Sequence, residues 1–213
     1  MAATMTTTKP VLGALLPQEG AARLLASFGA IVLSTLFIAI AAQIKIPLQP
    51  VIINLSTLAV AIVAAAFGWR IGVATVALYI FEGLAGLPVF ANGGGWAYVL
   101  SPSFGFIVGF LPMAYIIGRA ADAGASRSPL RLFGWMLGAH AVVYAFGFAW
   151  LLVVANLLLQ AGGQLPAWLA AGDLVTVAWN GAVQPFLVWD VLKMAFAALT
   201  VAGLWAAFGR GKA

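Results

Sequence analysis

The chain has 213 residues, of which 64% are hydrophobic and 7% charged, with a net charge of +5 and no cysteine. Soluble domains carry about 25% charged residues, so this chain lacks the polar side chains to cover a globule, and its mean hydropathy of +1.10 points to a polytopic membrane protein. Disulfides and thiol catalysis are excluded. The basic residues sit singly at the ends of apolar runs, a pattern of membrane topology rather than of a nucleic-acid surface.

Residues 1–21 hold Lys9 and several threonines ahead of the first apolar run. They read as a cytoplasmic tail or surface segment, not a signal peptide. Residues 22–213 read as one all-α transmembrane domain of six helices, at 22–43, 53–67, 71–87, 103–121, 133–159 and 181–208. Gly68-Trp69-Arg70 marks a tight turn between the second and third. With the N-terminus inside, the inner side collects Lys9, Arg23, Arg70, Arg119, Arg127, Arg131, Arg210 and Lys212, and the outer side keeps Lys45. This bias predicts both termini in the cytoplasm.

Three loops then face outward. The first, 44–52, is apolar and carries Pro47 and Pro50, so it cannot continue a helix. It is expected to fold over a cavity as a lid. The second, 87–98, contains Gly93, Gly94 and Gly95, which let a backbone approach a ligand closely. Asn92, Trp96 and Tyr98 add an amide and two aromatic faces. A flexible connector with interfacial aromatics is the plainer alternative for this loop. The third, 161–180, with Trp168, Asp173 and Trp179, reads as interfacial anchoring.

The sixth run carries Asp190 and Lys193, three residues apart and so on one helical face. A charge in hydrocarbon costs at least ~2.5–3.5 kcal/mol, so such residues face a cavity, pair, or bind something. The sequence leaves both an anchor for a ligand and a self-neutralising pair open. Counted from residue 181, the two lie roughly 14–18 Å along the helix, below the outer loops. The pocket so formed opens outward and suits a small, largely apolar ligand with a carboxylate and a hydrogen-bonding head.

Other chemistry is sparse. The single histidine, His140, sits mid-helix near Tyr144 and reads as a packed, hydrogen-bonded residue. No HExxH, GxSxG or Walker A pattern is present, so neither an enzyme nor an ATPase is expected.

The stretch Tyr79-Ile80-Phe81-Glu82-Gly83-Leu84-Ala85-Gly86-Leu87-Pro88-Val89-Phe90-Ala91 and the glycine loop after it resemble the BioY family, the biotin-binding S components of energy-coupling factor transporters. Pro185-Phe186, Asp190 and Lys193 resemble that family's closing Pro-Phe…Gly-Asp-x-x-Lys motif. The resemblance covers about 46–208. It implies high-affinity biotin capture and uptake in the cell membrane of a prokaryote, with biotin as transported ligand and no cofactor. The implied partners are a T component, docked on a small-residue stripe of helix one, and ATPase subunits that drive reorientation of the whole S component. Here that stripe is Ala22, Ala26 and Ala30, spaced for close helix approach. The candidate substrate-binding residues are Asp190, Lys193, Asn92, Gly94, Trp96, Tyr98, Ser56 and Glu82. Homo-oligomerisation is left open. Departures from the family pattern are Ser56 for a glutamine, Ser101-Pro102-Ser103-Phe104-Gly105-Phe106 for Gly-Pro-Thr-Gly-Gly-Tyr, and Trp189 for a glycine. The competing readings are an S component for a different small vitamin, and an ion-coupled carrier with Asp190 or Glu82 as coupling carboxylate.

Overall fold

The computed structural model describes residues 10–17, 19–46 and 52–208. Among them are seven α-helices: α1 (Gly20–Gln43), α2 (Ser56–Phe67), α3 (Trp69–Leu84), α4 (Phe104–Asp122), α5 (Pro129–Gln160), α6 (Leu174–Ala182) and α7 (Leu187–Phe208). Single 3-10 turns cover Trp96–Leu100, Ala125–Arg127 and Gln184–Phe186. Strands β1 (Lys45–Ile46) and β2 (Ile53–Asn54) form a short antiparallel ribbon that pairs Lys45 with Asn54. The expected lid therefore begins and ends as a ribbon, and its residues 47–51 lie outside the described residues.

Among the described residues, four helical stretches are long and apolar enough to cross a bilayer: Gly20–Gln43, Phe104–Asp122, Pro129–Gln160 and Leu174–Phe208. α2 is apolar too, but its 12 residues reach only roughly 18 Å. It stops where Gly68 turns to φ 88° and donates its N–H to Ala64, a conformation glycine takes without a Cβ penalty. α3 starts at once with Trp69 and ends at Leu84, so the turn predicted over 68–70 is confined to Gly68 and the helix lies two to three residues earlier than the expected 71–87. α5 begins earlier than expected, because Ser128 accepts the Arg131 N–H and Pro129 takes the first helical position.

α4 packs against α2, α3 and α5 and forms the middle of the bundle. Small residues make this possible, since lipid supplies no hydrophobic drive between helices and close packing must substitute. Ala59, Ala61, Ala64 and Ala65 of α2 are all buried. A Cβ on Gly109 of α4 would stand 3.0 Å from Val143 Cα of α5, so a larger residue there would force the helices apart. α1 lies on α3 and α2 and leaves Leu24, Leu25, Phe28 and Leu33 exposed.

Two expectations are corrected. The sixth run is not one helix from 181. α6 ends at Ala182, Val183 leaves helical geometry at φ −125°, ψ −58°, and α7 begins at Leu187. Pro185 explains the break: it has no N–H to give, and it disfavours helical geometry at the residue before it. Asp190 and Lys193 consequently stand three and six residues past Leu187, roughly 5 and 9 Å along the helix rather than 14–18 Å. The third loop, expected as interfacial connection, folds its second half into α6, which Asp173 caps by accepting the Thr176 N–H at 3.0 Å. At the other end of the chain, the segment before α1 is held against α2. Leu12 and Gly13 donate their N–H groups to Ala66, and Val11 is buried.

Candidate ligand-binding site

α7 places Asp190 in its first turn, where the unpaired N–H groups and the helix dipole favour a carboxylate. Its Oδ1 lies 2.5 Å from Lys193 Nζ one turn on, an ion pair rather than an aligned hydrogen bond. Its Oδ2 takes two contacts from α5: the Tyr144 hydroxyl donates at 2.5 Å, and His140 Nε2 lies 2.9 Å away. An ionised carboxylate can only accept, so His140 donates through Nε2. Lys193 also donates to the Asn54 carbonyl at 2.9 Å and to Thr57 Oγ1 at 3.3 Å. Two of its three N–H groups are thus used by β2 and α2. A buried ion pair is tolerable when other groups hold its remaining atoms, and here four residues from α5, β2 and α2 hold Asp190 Oδ2 and the Lys193 ammonium.

This cluster lies in the wall of a cavity of about 140 Å³, roughly ten times the ~10–15 Å³ one water needs. Apolar walls come from Phe106, Ile107 and Phe110 of α4, Val143 of α5 and Phe186. A second polar group enters from the segment before α4, namely Tyr98, Ser101 and Ser103. Ser103 donates to the Tyr98 hydroxyl at 3.2 Å, and Ser101 Oγ lies 3.2 Å from Ser103 Oγ.

An aromatic stack holds that segment in place. Tyr79 of α3 meets Phe90 edge-on at 5.3 Å between ring centroids, and Phe90 meets Tyr98 at 4.7 Å. The Tyr79 hydroxyl donates to the Val89 carbonyl at 3.0 Å. Phe90 is fully buried because Gly83 leaves its ring the space a Cβ would occupy. The loop is tied to the ribbon side by Gln43, which donates to the Phe90 carbonyl at 3.0 Å, and by Lys45, which donates to the Ala91 carbonyl.

The structure brings Asp190, Lys193, Asn92, Tyr98 and Ser56 to one cavity. The Ser56 hydroxyl is engaged with Asn54 Oδ1 at 2.5 Å. Gly94, Trp96 and Glu82 are not in the lining. Gly94 packs its backbone on the end of α3, where a Cβ would stand 2.8 Å from the Gly83 carbonyl. Trp96 is 75% exposed. Glu82 contacts Thr35 of α1 at 3.1 Å. On α1, Ala22 is exposed and Ala26 and Ala30 are half-buried.

Sequence reasoning had His140 packed and hydrogen-bonded, but did not connect it to Asp190. It also missed Tyr144, Asn54 and Thr57 as partners of the pair. The available signal was the four-residue spacing of His140 and Tyr144, which puts two polar rings on one face of an otherwise apolar helix. Asn54 and Thr57 flank Ser56 in Asn54-Leu55-Ser56-Thr57-Leu58, which stands where the family pattern has Thr-Leu-Gln-Thr-Leu, but the sequence does not show that they reach Lys193.

A bundle of apolar helices around a cavity with a charged pair in its wall defines a multi-pass membrane protein with an internal polar cavity. The chain belongs to the BioY family, whose family model matches residues 14–210. It is 33% identical to the biotin transporter BioY of Thermotoga maritima over 78% of this chain and 87% of that one. It is 36% identical to the probable biotin transporter BioY of Lysinibacillus sphaericus over 57% of this chain. That match spans 62% of the Lysinibacillus protein, under two thirds of its length. Among solved structures, the S-component for biotin from an ECF-type ABC transporter superposes with a TM-score of 0.69 over 89% of this chain and 95% of that one. At 21% identity that likeness speaks for the fold.

Proposed function

We propose that this chain captures biotin and brings it into the cell as the substrate-specific S component of an energy-coupling factor transporter. The carrying observation is the Asp190–Lys193 pair in the wall of a ligand-sized cavity, in a chain whose relatives are named biotin transporters. A carboxylate and an ammonium side by side offer an acceptor and a donor to a ligand that has N–H groups at one end and a carboxylate at the other. The aromatic and aliphatic walls suit the ring and chain between.

The finer reading is six spanning segments with both termini cytoplasmic, α6 and α7 together making the last, in the cell membrane of a prokaryote. The clustering of Arg23, Arg70, Arg119, Arg127 and Arg131 on the assigned inner side supports it. The exposed apolar face of α1 around Ala22, Ala26 and Ala30 supports docking of a T component, with ATPase subunits supplying the energy. Biotin enters as cargo, and no resident cofactor is proposed.

The test is binding of labelled biotin by the purified chain, followed by biotin uptake in an auxotroph with and without T and ATPase subunits. Tight binding without sodium or a pH gradient is expected. A requirement for either ion would overturn the S-component reading in favour of an ion-coupled carrier.

A further inference from the structure

Asp190 Oδ2 and two of the Lys193 N–H groups are held by protein partners, so a ligand must also find groups that are not. The hydroxyl chain before α4 supplies one. A serine has one proton to give. That of Ser103 goes to the Tyr98 oxygen, so the Ser101–Ser103 contact must use the proton of Ser101. The Tyr98 oxygen thus serves as the acceptor at the end of this chain, and what Tyr98 has left to give is its own O–H. Among the described residues no acceptor receives it. The ring is 8% exposed and lines the cavity. Burial pushes the Tyr98 phenol above its ordinary value, so the proton stays on. Two departures from the family pattern coincide here. Ser101 stands where that pattern has glycine, and Phe106 presents a bare ring to the cavity where it has tyrosine.

We propose that Tyr98 is a specificity-determining residue that donates to an acceptor oxygen of the ligand, a ring carbonyl or a carboxylate, with Ser103 and Ser101 as positioning residues that orient its proton. The proposal rests on the biotin-binding reading above and deepens it. A one-way chain from Ser101 through Ser103 to Tyr98 leaves a single donor aimed at the cavity. An unmet buried donor favours ligands with an oxygen at that point and rejects analogues that lack one.

The experiment measures affinities of the full chain in detergent for biotin, for iminobiotin (ring oxygen replaced by nitrogen) and for biotinol (tail carboxylate replaced by an alcohol). Biotin binding by the unmodified chain is the separate control for the functional reading. Tyr98→Phe keeps the contact with Phe90 and is expected to weaken biotin about tenfold, the worth of roughly one hydrogen bond. It should also erase the preference for biotin over one analogue. Loss of discrimination against iminobiotin assigns the ring oxygen, and loss against biotinol assigns the tail. Ser103→Ala and Ser101→Gly should weaken biotin by smaller factors, and add nothing in the Tyr98→Phe background. Should Tyr98→Phe melt early, Ser103→Ala carries the same comparison. Unchanged biotin affinity, or an equal loss for all three ligands, overturns the proposal.

Discussion

Tyr144 on α5 donates its hydroxyl to Asp190 Oδ2 on α7 at 2.5 Å, across 46 residues of sequence. This bond joins two helices through a carboxylate that His140 and Lys193 also hold. A hydrogen bond to a charged group is worth about 1.5–3 kcal/mol. Tyr144→Phe keeps the ring and removes only the donor, so it should lower unfolding stability in detergent by about that amount. An unchanged melting temperature would show that the bond contributes nothing net.

The pair itself calls for a cycle, not single mutants. Lys193→Met strands Asp190 as a buried unpaired charge, at about 3–5 kcal/mol, and that penalty falls on folding as well as binding. The double mutant Asp190→Asn/Lys193→Met removes both charges. We expect it to melt closer to the wild type than Lys193→Met does, and to bind biotin at least about a hundredfold more weakly, or about 2.8 kcal/mol. A folded double mutant of near-native affinity would make the pair structural and remove it from the site.

Gly83 makes room for the buried ring of Phe90, which in turn supports Tyr98. Gly83→Ala puts a methyl into that ring's space, an overpacking that costs about 1–3 kcal/mol. Adding Phe90→Leu should recover part of the loss. Gly83→Ala with wild-type thermal stability would contradict the packing described.

Docking is tested on α1. Ala26 is half-buried on a helix whose neighbouring apolar residues are exposed. Ala26→Trp adds bulk where close helix approach needs a small residue, so it should abolish co-purification with a T component and leave biotin affinity intact. Undiminished co-purification would count against this stripe as the contact.

Asp173 gives α6 a pH-dependent start. The Thr176 N–H, and after it the Thr176 hydroxyl, hold its carboxyl below the ordinary range. The unfolded chain therefore binds this proton more readily than the folded one. Its stabilisation is full above the ordinary carboxylate value of about 3.9 and fades as pH falls through the lowered folded value. Protection of the amides in the first turn of α6, measured as exchange relative to the intrinsic rate at each pH, should fall on acidification, and should be lower in Asp173→Ala at all pH values. Asp173→Asn, which caps without titrating, should remove the pH dependence. Equal exchange in all three would refute the cap.

The sequence by itself determined the membrane class, the positions of most helices and the placing of Asp190 and Lys193 on one helical face. All three depend on local information: apolar run length, punctuation by Gly68, and the fixed three-residue spacing on a helix. The break at Pro185 was legible on the same grounds, but was overridden by the length of the apolar run. Only the tertiary structure decided who surrounds the pair. His140 and Tyr144 lie 50 and 46 residues from Asp190, and Asn54 and Thr57 lie 139 and 136 from Lys193. Which face α5 turns to α7, and where β2 ends, depend on how the small residues of α2, α4 and α5 let the helices close. The glycine loop shows the same limit. Its composition allowed a ligand cradle at Gly94 and Trp96, but the fold packs Gly94 onto the end of α3 and turns Tyr98 to the cavity, because the Gly83 gap fixes Phe90 and Phe90 fixes the loop.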